Sequence, residues 1–258
     1  MTENTITTDI WGYDKRLDFI LSSLTAAFGS TPTSELRVLD VGCGNAQYLG
    51  SFLIKRGFQY HGVDMHERSI KVAREKSIKY ENARFLCGEL NQLEENDFDV
   101  VIISEVLEHV AEPADLLRKS IQKLKPDGFV IITVPNGYGE FEWDSWFYRI
   151  LGFERLRKIY GEYFKSRNAK EAISSTENIG NRHIQFFSLR RIRELFDNCS
   201  LMVVNEAPSV FMCGPFVCHT FAKSKRFLKW NASIADKMPL VFSSGWFFAL
   251  RPAMRDDR

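Results

Sequence analysis

This 258-residue chain lacks an apolar run long enough to cross a bilayer. Its longest apolar stretches, Phe98–Ser104 and residues 129–134, fall well short of the ~18 residues that a span needs, so they read as buried strands. It also lacks a cysteine framework: the five cysteines (Cys43, Cys87, Cys199, Cys213 and Cys218) are odd in number and form no CxxC pair. That excludes a zinc ribbon or a disulfide-stapled secreted fold, and reduced thiols in a cytoplasmic protein are expected. A charge excess is missing as well. Lys and Arg total 34 against 33 Asp and Glu, a net charge of +1, which argues against a dedicated nucleic-acid binder, DNA included. The opening Met1-Thr2-Glu3-Asn4 has no basic cluster and no apolar run behind it, unlike a secretory leader. Internal repeats and low-complexity tracts are absent.

What the chain does have is a strand–helix rhythm. Residues 14–28 carry Leu17, Ile20, Leu21, Leu24 and Phe28 at helical spacing, and Ser30-Thr31-Pro32-Thr33 ends the pattern. Strands are then expected at 36–41, 60–64, 83–87, 99–104 and 129–134, with helices over 47–56, 69–80 and 115–125 and a turn at Pro126-Asp127-Gly128. After Pro135 the rhythm changes: residues 138–164 hold ten aromatics in 27 and no clean strand. A helix over 188–199 and two late strands, 201–204 and 246–250, complete the pattern. Continuous apolar strands alternating with helices predict an α/β fold, a mostly parallel seven-stranded sheet with helices on both faces. The expected organisation is an N-terminal helical segment, 1–35, followed by one domain, 36–258. Insertions at 137–182 and 209–240 exceed ordinary connections.

The most informative stretch is Val38-Leu39-Asp40-Val41-Gly42-Cys43-Gly44-Asn45-Ala46. A strand ends in a turn whose glycines let backbone approach a ligand, just ahead of a helix N-terminus. A dinucleotide turn of the form G-x-G-x-x-G would require glycine where Gln47 stands. An acid at Asp40, two residues before the first glycine, suits a ligand bearing an ammonium group better than one bearing a pyrophosphate. Asp64 follows Gly42 by 22 residues and ends the second strand, where a carboxylate accepts hydrogen bonds from ribose hydroxyls. A nicotinamide-dependent oxidoreductase on a similar sheet is the competing reading. Gln47, Asp40 and the lack of a Tyr-x-x-x-Lys couple count against it.

Four segments together, VLDVGCGNAQYL, GVDMHERSIKVAREK, FDVVIISEVLEHVAEP and LKPDGFVIITVPN, resemble successive motifs of the class I S-adenosylmethionine-dependent methyltransferases. The resemblance is to the ubiquinone-biosynthesis O-methyltransferases and related small-molecule enzymes, and it covers residues 37–136. It implies the Rossmann-like methyltransferase fold and S-adenosylmethionine as cofactor. It further implies that Gly42 and Gly44 bring backbone against the methionine moiety while Asp40 supports its ammonium. By the same resemblance Asp64 holds the ribose, Met65 packs on the adenine, and Glu89 with Leu90 faces the adenine amino group. Ser104 would touch the cofactor through its backbone. The segment Arg16-Leu17-Asp18-Phe19-Ile20 resembles the one whose arginine grips the methionine carboxylate. Where relatives often carry a third small or glycine residue, this chain has Ala46.

Methyl transfer is an in-line displacement at a sulfonium carbon. Positioning alone can supply ~7–11 kcal/mol of it, and a base or metal that favours an oxyanion adds more. Glu105, Glu108 and His109 are spaced i, i+3 and i+4 and would share one face if helical. The E-x-x-E-H pattern resembles the metal site of ubiquinone O-methyltransferases and of certain small-RNA 2′-O-methyltransferases. Relatives without a metal carry the same letters, so metal-independent transfer to a hydroxyl is expected, served by His183, Glu105 and His109. A divalent ion is the alternative, and it would need Glu105, Glu108 and His109 to converge with His183 or water.

Charge is segregated along the chain. Residues 149–193 carry eleven basic and four acidic side chains, whereas residues 81–115 carry ten acidic and one arginine. Solvated helix faces would account for this, as would a lid of aromatics and arginines over an apolar or anionic small-molecule acceptor. The second insertion interleaves Phe216, Phe221, Phe227, Leu228 and Trp230 with Lys223, Lys225, Arg226 and Lys229. That pattern fits a lid helix or a segment resting on an anionic membrane surface. RNA 2′-O-methylation and a non-catalytic cofactor-binding protein are the remaining readings.

Overall fold

In the computed structural model the described residues are 12–138, 183–213, 217, 221 and 224–253. They form α1 (Tyr13–Phe28), β1 (Arg37–Val41), α2 (Leu49–Lys55), β2 (Gln59–Asp64), α3 (Glu67–Ser77), β3 (Ala83–Cys87) and β4 (Phe98–Ser104). These are followed by α4 (Pro113–Ile121), β5 (Leu124–Pro135), α5 (Leu189–Asn198), β6 (Leu201–Pro208), α6 (Lys225–Ala235) and β7 (Gly245–Pro252). The strands make one seven-stranded sheet in the order β3-β2-β1-β4-β5-β7-β6. Strands β1 to β5 pair in parallel, and β7 runs antiparallel to both β5 and β6.

The sheet is buried on both faces because side chains alternate across it. Leu39, Val41, Val101, Ile103, Val130, Ile132 and Phe248 pack on one side. Val38, Val100, Ile102, Ile131, Phe247 and Ala249 pack on the other, with Phe19, Ile20 and Leu24 of α1. Each such apolar side chain is worth roughly 1.5–3 kcal/mol when fully buried. The uninterrupted apolar strands of the sequence thus sit where a parallel sheet requires them. The expected Pro126-Asp127-Gly128 turn lies inside β5 as an irregularity, because Phe98 pairs with Leu124 whereas Val100 pairs with Phe129.

What positions the site is the strand order. β2 and β3 lie to one side of β1, and β4 and β5 lie to the other, so the crevice between the carboxyl ends of β1 and β4 is the switch point at which such sheets bind ligands. Of the expected first insertion, residues 139–182 lie outside the described residues, as do Phe216 and Lys223 of the second. What is described of the second contains α6, and a 3-10 turn over Leu240–Phe242 begins at its end. That turn is fastened by the buried Trp246, whose indole N–H donates to the Leu240 carbonyl at 2.7 Å.

Candidate functional site

At the end of β1 the chain turns through Gly42 (φ 75°) and Gly44 (φ 54°). The Gly42 and Cys43 amides both donate to the Val63 carbonyl of β2, at 2.8 and 3.1 Å. At Gly42 the reason for glycine is a protein neighbour: a Cβ there would lie 2.4 Å from Cγ2 of Val106, just beyond β4. The Gly44 amide donates to Oδ2 of Asp64 at 2.8 Å, and Oδ1 of Asp64 accepts from the His66 amide at 2.8 Å. Asp64 therefore ties the turn to the end of β2. Ala46 also sits at positive φ, 51°, where a Cβ costs roughly 1–2 kcal/mol; the alanine is less mild a replacement for glycine than its size suggests.

Asp40 is buried beneath this turn and accepts the Tyr60 hydroxyl at 2.5 Å. Burial pushes its carboxyl up to about 7; the Tyr60 hydrogen bond opposes the shift, and the nearby Asp64 carboxylate reinforces it. At the far side of β2, Met65 is 74% exposed. Glu89 caps its own turn, its side chain and that of Gln92 reciprocally bonding backbone amides, while Leu90 is buried behind it.

Arg16 is no ordinary surface arginine. It reaches from α1 to the end of β4, donating to Ser104 Oγ at 3.2 Å and pairing with Glu105 Oε1 at 3.1 Å. Its guanidinium lies 5.3 Å from the Tyr13 ring centre and 5.8 Å from that of Phe247. Its buried Nε has no hydrogen-bond partner among the described residues. Glu105 Oε1 also accepts from Thr133 Oγ1 at 2.9 Å.

The expected helical face of Glu105, Glu108 and His109 does not form. Only Leu107–His109 make a 3-10 turn, and Glu105 precedes it at φ 55°. The Glu105 amide stays in register with β5, donating to the Thr133 carbonyl at 3.0 Å; its carboxylate is turned to Arg16 rather than to the other two. Glu108, 1% exposed, faces inward instead. Its carbonyl accepts the amides of Ile184 and Gln185, at 2.9 and 3.0 Å, which docks the segment carrying His183. The rings of His109 and His183 lie edge to face at 5.0 Å. One ligating atom from each of Glu108, His109 and His183 falls within 4.8 Å of the other two. Burial, reinforced by the Glu105 carboxylate, pushes the Glu108 carboxyl up to about 9 despite the opposing Arg16 charge. Its Oε2 is buried without a hydrogen-bond partner among the described residues.

Sequence reasoning missed three contributors. Tyr13 and Tyr48 stack at 4.9 Å and 10°, joining α1 to the chain just after the glycine turn. Tyr60 carries the hydroxyl that holds Asp40. The available signal was a hydroxyl-bearing aromatic at the start of α1, just after the glycine turn and in β2. Two hollows of about 580 and 550 Å³ lie one against α5 and β6 and one against β2 and β3, the second reaching Gln92 of the Glu89 turn.

A family model described as a methyltransferase domain matches residues 13–206. The ubiquinone biosynthesis O-methyltransferase of Yersinia pestis is 32% identical over 169 residues, which is 64% of this chain and 64% of that protein; the chain thus matches just under two thirds of the relative's length. The crystal structure of magnesium protoporphyrin IX methyltransferase from Synechocystis with bound S-adenosylhomocysteine is similar at a TM-score of 0.56 and 18% identity, covering 97% of this chain and 88% of that one. A putative sarcosine dimethylglycine methyltransferase from Galdieria sulphuraria gives a TM-score of 0.57 at 13% identity, over 92% and 84% of the two chains. At these identities the structural likeness shows the fold alone.

Proposed function

Because the chain belongs to the S-adenosylmethionine-dependent methyltransferase-domain family, we propose that it carries the methyl group of that cofactor to a hydroxyl oxygen of a small-molecule acceptor. The observation that carries this reading is the meeting of Glu108, His109 and His183 where the turn after β4 receives the segment that carries His183. Cofactor binding is assigned to a separate set: Asp64 to the ribose, Met65, Glu89 and Leu90 to the adenine, Gly42, Gly44, Asp40 and Ser104 to the methionine end. Arg16, aimed by Glu105, is assigned to the methionine carboxylate. The hydroxyl oxygen forms its bond to the methyl carbon as the carbon–sulfur bond breaks, the electron pair leaving with sulfur as a neutral thioether. His183 takes the hydroxyl proton, and burial, which raises the Glu108 carboxyl, disfavours a negative charge beside it.

One observation favours a second reading of the same three residues. They offer two imidazoles and a carboxylate converging on a point, with the buried Glu108 Oε2 unmet by a hydrogen bond, and so they fit a divalent ion. That donor set suits a softer ion such as Mn2+ better than Mg2+. When bound, the ion would supply Lewis-acid polarisation of the acceptor oxygen, and Glu108, His109 and His183 would hold it. A transfer assay over phenols, catechols, sugars and amines, with and without chelator, tests both readings. A methyl ether formed in the presence of chelator is expected. Loss on chelation with recovery on Mn2+ assigns the three residues to an ion, and methylation of amines alone overturns the hydroxyl assignment.

Two further outcomes follow from the cofactor wall. Asp64→Ala is expected to weaken S-adenosylhomocysteine binding by about 1.5–3 kcal/mol, the loss of a charged hydrogen-bond partner, and calorimetric titration measures it. Near-parental affinity in a folded Asp64→Ala removes Asp64 from the site. Asp40 sets a pH dependence. Its carboxyl titrates at about 7 in the cofactor-free protein, and the cofactor's ammonium favours the ionised form. Affinity should therefore fall about tenfold for each pH unit below 7 and level off above it. The folded-state value lies above the ordinary carboxylate value, so Asp40 makes the cofactor-free fold less stable as pH rises from about 4 to 7. Affinity that does not change between pH 5.5 and 7.5 contradicts this role.

A further inference from the structure

We propose that α6 is a docking element for the surface of an anionic lipid bilayer. Lys225, Arg226 and Lys229 are exposed along it, and no acidic residue falls within Lys225–Ala235. Lys225 with Lys229, and Arg226 with Trp230, are i,i+4 pairs in adjacent rows, so the three cations and the indole share the outward half of the helix. Asn231 and Ala235 are its buried positions. At the same end, Phe221 and Trp230 are 45% and 48% exposed. Their rings join through Phe227, which lies 5.0 Å from Phe221 and 5.6 Å from Trp230. A tryptophan and a phenylalanine flanked by basic side chains match the interface of a bilayer, where the ring sits at headgroup depth and the cations meet lipid phosphates.

The helix is held firmly enough to carry such a contact. The Asn231 side chain clamps the Met212 backbone, accepting from its amide and donating to its carbonyl, both at 2.7 Å. Lys15 of α1 pairs with Asp236 at 2.6 Å and donates to the Ala232 carbonyl at 3.3 Å and the Ser209 carbonyl at 2.9 Å. Docking through α6 therefore orients α1, the element that also carries Arg16. A second copy of this chain suits the patch poorly, since a two-fold contact would set like charges against each other. A nucleic-acid strand would need open ring faces for its bases, and here the faces of Phe221 and Phe227 are turned to one another at 27°.

The test is co-sedimentation of the full chain with vesicles of phosphatidylcholine alone and of phosphatidylcholine mixed with phosphatidylglycerol, at low and high salt. Binding to the anionic vesicles alone, weakened by salt, is expected. Lys225→Glu with Lys229→Glu should weaken it roughly a hundredfold, and Trp230→Ala should weaken it at low and high salt alike. Thermal stabilisation by S-adenosylhomocysteine, unchanged in these variants, checks that they fold. Equal binding of both vesicle types, no binding to either, or full binding by the charge-reversed variant overturns the proposal. So does a dimer in light scattering that Trp230→Ala dissolves, or a single-stranded RNA that binds the patch while vesicles do not.

Discussion

Gly44→Val is expected to abolish binding of S-adenosylhomocysteine while the sheet still folds. The residue sits at φ 54°, a region that a β-branched side chain occupies only under strain. Its amide is also the donor that draws Asp64 against the turn. A valine would strain the turn and loosen the carboxylate assigned to the ribose. Both effects act on one ligand, which is why the expected loss is complete and exceeds that of Asp64→Ala. The measurement is the thermal shift on adding S-adenosylhomocysteine. A cooperative melt without a ligand-induced shift is the expected result, and a parental shift would make the turn purely structural.

Replacing His183 by alanine should lower kcat by ~10²–10⁴-fold, the usual contribution of a positioned proton acceptor, with cofactor affinity unchanged. His183 comes from a segment fastened to the Glu108 carbonyl rather than from the cofactor wall, so binding and turnover should separate in this variant. Glu108→Gln is the companion. It keeps the shape of a neutral buried group and should retain much of the activity if His183 works alone. If the three residues hold an ion, it should lose activity as His183→Ala does. Parental kcat in His183→Ala would remove the histidine from the chemistry.

The two halves of the site differ in how far the sequence discloses them, and the reason is physical. Asp40, Gly42, Gly44 and Asp64 act through turn geometry at strand ends, which is local and shows in spacing. The residues assigned to the acceptor depend on contacts that no local pattern encodes. Glu105 fails to share a helical face because its amide completes the β5 ladder at Thr133, which commits the backbone to φ 55° before any helix can start. Its carboxylate then meets Arg16 from an element far away in the chain. The approach of His183 to Glu108 rests on two backbone hydrogen bonds made after the expected first insertion, and the rest of that insertion lies outside the described residues. The antiparallel setting of β7 is similarly hidden. Its apolar run reads like any buried strand, and only pairing with β5 and β6 gives it direction.

Whether the acceptor atom is oxygen can be read from the product itself. S-adenosylmethionine carrying an isotopically labelled methyl carbon would be turned over with an acceptor found in the panel, and the labelled carbon of the product read by nuclear magnetic resonance. A methyl ether is expected, formed by the parent and ~10²–10⁴-fold more slowly by His183→Ala. A methyl group on nitrogen or carbon, or tight cofactor binding without transfer to any hydroxyl, would contradict it.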